Sequence, residues 1–327
     1  RMTMSRIIVI GGTGHIGTYL VPALVDQGHD VVSVSRGLAK SYVHNTAWDR
    51  VEQVAVDRQA EEKAGTFVNR IVDLKPDIVI DLISFNLAST RPLVEALRGK
   101  IEHFLHCSTL WVYGHTAAVP AGEDEPLNPF GEYGIDKAEI EKWLMHEART
   151  TGFPATIFRP GQIVGEGWTP ITPLANDKAA VFSKMARGEE IVLPNLGLET
   201  VNHVHAADIS QLIQRAMTNR SVAIGETFNA VSDTALNLRG YAETIFTWFG
   251  FEPKIAYAPY EEWMKLQPTP EEAHHSWEHF ARSSCLSIEK ARRKLGYEPA
   301  YSSIAGVKES ITWLIENGKV EKPKAWK

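Results

Sequence analysis

A chain of 327 residues that is 44% hydrophobic and 23% charged can bury the core of one large domain or two interleaved ones. A net charge of −6 without a long basic run argues against a nucleic-acid surface as the main function, and no apolar run approaches the roughly 20 residues that cross a bilayer. The two cysteines, Cys107 and Cys285, are far apart; free thiols in a reducing cytoplasm are expected, with no secretory leader ahead of residue 7.

Ile7-Ile8-Val9-Ile10 reads as a strand buried on both faces. The turn Gly11-Gly12-Thr13-Gly14-His15-Ile16-Gly17 follows, and a helix then runs to Gly28. Gly11 allows the tight turn, Gly14 lets backbone approach a diphosphate, and Gly17 lets helix pack closely on strand. The diphosphate would sit on the unpaired N–H groups at the helix start, which Thr13, His15 and Ile16 help to form. Further strands are expected over 30–35, 51–56, 77–82, 103–108 and 155–158, with helices over about 60–74, 91–97 and 133–150. This alternation predicts an α/β fold: a doubly wound parallel sheet of Rossmann type. After Arg159-Pro160 it breaks down. Residues 1–165, with 201–229 returning, are assigned to the dinucleotide-binding domain. Residues 166–200 and 230–327 are assigned to a smaller α/β cap, with a helix over 206–218 and a strand over 226–229.

The residue after the second strand meets the adenosine ribose. An acid there suits NAD, whereas an arginine suits the extra phosphate of NADP. This chain has Ser35-Arg36-Gly37, so NADP is preferred over NAD. Asp57 and Arg58 are candidates for adenine contact, and Leu82, Ile83 and Ser84 for the ribose side. Tyr133 and Lys137 stand four apart at the start of a helix, hence on one face. A neighbouring ammonium favours phenolate and would bring the tyrosine toward neutral pH as a base, while the same lysine could hold the nicotinamide ribose. Thr109, at the carboxyl end of the fifth strand, could share the substrate oxygen with Tyr133.

Taken together, these segments resemble the extended short-chain dehydrogenase/reductases, the NAD-dependent epimerase/dehydratase family. The resemblance rests, in order, on GGTGHIG at 11–17, STLWVYG at 108–114, YGIDK at 133–137, FRPGQIVGEG at 158–167, HVHAADIS at 203–210, GETFNAVS at 225–232 and the segment 286–307. It implies that Thr109, Tyr133 and Lys137 polarise a substrate oxygen while hydride moves to or from nicotinamide, and that Pro160 flanks the nicotinamide.

Departures narrow the chemistry. Sugar-nucleotide 4,6-dehydratases follow the catalytic threonine with an acidic pair. Here Leu110 and Trp111 stand there, so elimination of water is rejected. Nucleotide-sugar epimerases usually carry asparagine where this chain has Gln162, and an arginine where Val201-Asn202 stands; only Arg282 lies roughly near a further expected arginine. Substrate-side candidates are Trp111, which is either an aromatic plate for a ring or a packing residue, together with Gln162 and Trp168. His274, His275 and His279 have a spacing open to a metal, but no further ligand completes a set and none is expected.

The expected function is therefore an NAD(P)-dependent oxidoreductase acting at a hydroxyl or carbonyl of a sugar-like or small ring substrate. The alternatives are a sugar or nucleotide-sugar epimerase that retains NAD, and a non-catalytic NADP-binding protein that regulates partners or binds RNA. A small-molecule substrate, no nucleic acid, no membrane and a homodimer through the helices at 89–97 and 133–150 complete the expectations.

Overall fold

The computed structural model describes residues 4–37 and 39–326; residues 1–3 of the expected nucleotide domain and residue 38 lie outside them. Seven parallel strands form the main sheet. In chain order they are β1 (Arg6–Ile10), β2 (Asp30–Ser35), β3 (Glu52–Ala55), β4 (Ile78–Asp81), β5 (His103–Cys107), β6 (Ala155–Pro160) and a seventh, Glu226–Ala230. Across the sheet the order is β3-β2-β1-β4-β5-β6-seventh. The order reverses between β1 and β4, which is where an open parallel sheet forms a crevice beyond its strand ends.

The alternation of side chains along β1 explains the two helical layers. Ile7 and Val9 share one apolar cluster with Leu20, Val21 and Leu24 of helix α1 (His15–Asp26) and with Ile209 and Leu212 of the helix Ala206–Thr218. Ile8 and Ile10 face the other way, onto a cluster holding Phe67, Leu93, Val94 and Leu144.

One expected helix is in fact two. The span 60–74 divides into α2 (Arg58–Ala64) and α3 (Phe67–Asp73). Gly65 ends α2 in the left-handed region at φ +73°, and it satisfies the helix-terminal carbonyls through its own N–H. Helix α4 (Leu87–Leu97) begins earlier than expected because the Asn86 side chain caps it through the Ser89 N–H. Helix α5 (Glu132–Thr151) ends at Gly152, φ +72°.

Beyond β6 lies a second apolar cluster, with Phe182, Tyr241, Phe246, Trp263 and Ile311 among its members. Most of its members come from the segments assigned to the cap, with Val164 and Val201 joining them from the nucleotide domain. Short strand pairs lie around it, among them Gln162–Val164 beside His203–His205 and Ile191–Pro194 beside Ile255–Ala258. His205 bonds Glu309 through Nε2 at 2.9 Å, and the Asp208 carboxylate accepts the N–H groups of Ala300 and Tyr301. No helix among the described residues is long and apolar enough to cross a membrane.

Candidate active site

At the carboxyl ends of β1, β4 and β5 lies a cleft of about 290 Å³. The glycine turn supplies Gly11, Gly14, His15 and Ile16, and the segment after β4 supplies Leu82 and Ile83. Cys107, Ser108 and Thr109 follow β5, while Tyr133, Pro160 and Trp168 close the remaining sides. Gly11 has φ +87°, a value that side-chain-bearing residues rarely adopt, and its N–H bonds the Val34 carbonyl at 2.8 Å. A Cβ at Gly17 would collide with the Gly12 carbonyl, so α1 packs against the turn only because that residue has none.

The start of α1 fits a diphosphate. Its N-cap is Gly14, no side chain caps it, and its first turn carries no acidic residue. The N–H groups that most helices satisfy with a serine or aspartate are here left to the cleft. A nicotinamide dinucleotide would therefore be held by the backbone of Gly14 to Ile16 and flanked by Leu82, Ile83 and Pro160.

On the opposite wall, Thr109 caps the short 3-10 segment Leu110–Tyr113, its Oγ1 accepting the Trp111 N–H at 3.2 Å. That hydroxyl keeps its own proton to donate. Tyr133 and Lys137 lie on the same face of α5, as their spacing requires. Lys137 is 1% exposed, and its Nζ donates to the carbonyls of Ser84 at 2.5 Å and Cys107 at 2.7 Å and lies 5.1 Å from the Phe85 ring centre. Burial lowers its pKa, with the neighbouring Asp81 and Glu141 carboxylates opposing that shift.

The expectation that Lys137 pulls the Tyr133 phenol down is corrected. Burial of the hydroxyl end in the cleft drives that phenol well up, only the Thr109 hydroxyl opposes it, and Lys137 is spent on two carbonyls. The residue as a whole is 42% exposed, so its ring borders the cleft mouth. A protonated phenol beside a threonine hydroxyl is an acid poised for a carbonyl oxygen.

Beneath this wall runs a buried polar chain. Ser108 Oγ donates to Glu141 at 2.5 Å, and Arg159 meets the same carboxylate through Nε at 3.1 Å and Nη2 at 2.6 Å. Arg159 Nη1 then donates to the Tyr113 hydroxyl at 2.8 Å, which donates to Asn229 Oδ1 at 2.5 Å. Against the cost of burial, Glu141 raises the guanidinium's pKa well above its usual range. Every member is satisfied, which is the condition under which buried ions can be tolerated.

Several residues singled out in the sequence are engaged away from the cleft. Asp57 caps α2 through the Ala60 N–H at 3.1 Å, and Arg58 grips Asp81 at 2.8 and 3.0 Å and Glu62 at 2.6 Å. Neither side chain is on the cleft wall. Ser84 turns its hydroxyl to Thr90 at 2.5 Å and offers the site only its carbonyl. Thr13 is buried within the turn, and Arg36 is exposed at the end of β2. Gln162 accepts the Asn202 N–H at 2.9 Å. Trp111 has the Tyr133 ring at 5.7 Å, His279 at 5.1 Å and the Arg282 guanidinium 3.7 Å from its centre.

Sequence reasoning missed Phe85 and Tyr42, and named Arg282 only as lying roughly near an expected arginine. Arg282 is 2% exposed, lies between Trp111 and Phe130, and donates to the Phe130 carbonyl at 2.7 Å. Burial lowers its pKa to about 10. Phe85 stands 6.4 Å from the Tyr133 ring, and Tyr42 stacks on His15. All three depend on contacts between distant segments, for which no local pattern exists. Among the described residues no group of three or more His, Cys, Asp or Glu side chains is arranged to hold a metal; His274 pairs with Glu278 at 3.4 Å.

Comparison with known proteins identifies the family and the fold. Residues 7–230 match the model of the NAD dependent epimerase/dehydratase family. The chain is 27% identical to the chloroplast stem-loop binding protein of 41 kDa b of Arabidopsis thaliana, over 97% of this chain and 81% of that one. It is 21% identical to a UDP-glucose 4-epimerase of Corynebacterium glutamicum, over 93% and 94%. Among solved structures it is similar to a dTDP-glucose 4,6-dehydratase of Bacillus anthracis in complex with NAD. There the TM-score is 0.75 at 19% identity, over 97% and 98% of the two chains, a likeness of fold.

Proposed function

The chain belongs to the NAD dependent epimerase/dehydratase family, and from that premise we propose that it transfers hydride at a hydroxyl or carbonyl of a sugar-like or small ring substrate. The observation that carries this reading is the shared cleft, in which Gly14 and His15 of the nucleotide turn face the same space as Thr109 and Tyr133. Nicotinamide, when bound, supplies the hydride acceptor or donor. Tyr133 holds the proton at the substrate oxygen, Thr109 donates a second hydrogen bond to that oxygen, and Lys137, anchored on the Ser84 and Cys107 carbonyls, fixes the start of α5 that carries Tyr133. The buried chain through Glu141 and Arg159 keeps β5, α5 and β6 in register beneath them.

NADP is the preferred dinucleotide in this reading, because Arg36 ends β2 where an acid would repel a 2′-phosphate. Leu110 and Trp111 leave no acid and base for eliminating water, so dehydration is not assigned despite the dehydratase-like fold. A second reading, an epimerase that keeps its cofactor, is favoured by the Corynebacterium relative. The name of the Arabidopsis relative brings in stem-loop binding; the net charge of −6 and the catalytic set count against it.

The test is turnover followed at the nicotinamide absorbance band with a panel of sugars, polyols and nucleotide sugars. Net absorbance change indicates an oxidoreductase, and product without net change indicates an epimerase. Tyr133→Phe is expected to lower kcat by roughly 10²- to 10⁴-fold with NADPH affinity unchanged. Full activity in that variant would remove Tyr133 from the mechanism.

A further inference from the structure

Three rings from three separate segments meet above the diphosphate turn. His15 opens α1, Tyr42 lies in the connection after β2, and Trp168 lies in the turn that follows the strand Gln162–Val164. The His15 and Tyr42 rings stack with centroids 4.1 Å apart and planes 11° from parallel, and Trp168 meets His15 edge-on. His15 and Trp168 both line the cleft.

The meeting is built into the backbone on both sides. The Tyr42 N–H donates to Thr18 Oγ1 at 3.4 Å, which ties its loop to α1. Gly167 has φ +86°, and a Cβ there would collide with the Tyr42 ring. The ring can cross the 165–168 turn only because residue 167 is glycine. Tyr42 is nevertheless 38% exposed, so the stack contributes little to the core and mainly closes one side of the cleft against the other.

Building on the dinucleotide reading above, we propose that Tyr42, His15 and Trp168 form an aromatic clasp that closes over the bound dinucleotide's diphosphate and slows its release. The rings add no charge to the site. They join the β2 connection to the segment after β6, so a dinucleotide lying on the α1 N-terminus leaves only when the stack opens. Loss of one aromatic partner removes a pair interaction whose typical strength corresponds to a roughly three- to tenfold change in the opening equilibrium.

The experiment is stopped-flow release of NADH and of NADPH, followed by their fluorescence, from the intact protein and its variants. Tyr42→Ala and Trp168→Ala are expected to release the better-bound dinucleotide roughly three- to tenfold faster, with melting temperature unchanged. Tyr42→Phe, which keeps the ring, is expected to match the parent. Tyr42→Leu keeps apolar bulk without a stacking face; it is expected to release like Tyr42→Ala, and it serves in place of that variant should it fold poorly. Equal release rates in parent, Tyr42→Leu and Trp168→Ala overturn the clasp while leaving the cofactor reading intact. Binding of neither dinucleotide by the parent overturns the cofactor reading and the clasp with it.

Discussion

Mild acid should destabilise this protein, because five of its histidines are held neutral by burial, three of them sealed completely. His103, His106 and His203 are each 0% exposed. Burial lowers the first two to about 3 and the third to about 4; Lys137 adds to the effect at His106, where neither ring nitrogen has a partner among the described residues. Burial also lowers His15 and His279 to about 3. In the unfolded chain the same imidazoles titrate near 6.5. Between pH 6.5 and about 4 the unfolded state therefore binds five protons that the folded state refuses, and stability falls as pH falls through that window. From pH 6 to pH 5 the loss is about 1 kcal/mol per histidine, or roughly 5 kcal/mol in all. Glu123 and Asp208, raised by burial, act in the opposite sense and soften the lower end.

Against a typical stability of about 5–15 kcal/mol, that loss is large. With a urea slope of about 3 kcal/mol per molar, the unfolding midpoint should drop by roughly 1.5–2 M between pH 6 and pH 5. His106→Leu should flatten the dependence by roughly a fifth, since one of the five protons disappears. A parent midpoint that moves by less than about 0.3 M over that unit would mean the histidines are not held neutral, and the reasoning fails.

Other consequences follow from single residues. Arg159→Met leaves Glu141 buried without its partner and should cost about 3–5 kcal/mol in urea unfolding, much of it recovered by the double change with Glu141→Leu; a loss under 1 kcal/mol would show that the pair is not sealed from water. Arg36→Ala should weaken NADPH by roughly tenfold and leave NADH unaffected in calorimetry, whereas equal weakening of both would remove the 2′-phosphate contact. Helix α5, one of the two helices expected at a dimer contact, presents Ile135 at 49% exposure beside charged positions. A dimer through them should give a light-scattering mass of about twice the 36.4 kDa chain, and a single-chain mass would dismiss it.

The amino-acid order by itself determined the layered α/β design. Ile7 to Ile10 must be buried on both faces, the glycines must turn, and Tyr133 and Lys137 must share a helix face, because these features depend on neighbours a few residues apart. The break of the span 60–74 at Gly65 was legible in principle, since a lone glycine inside a helical pattern is a stop signal. Tertiary structure alone decided what each polar group does once buried. Arg58 goes to Asp81 rather than to an adenine, Lys137 to two carbonyls rather than to the phenol, and Arg282 to the faces of Trp111 and Phe130. Burial and long-range pairing set the charge states and the orientations here, and both arise only when strands and loops from opposite ends of the chain are brought together.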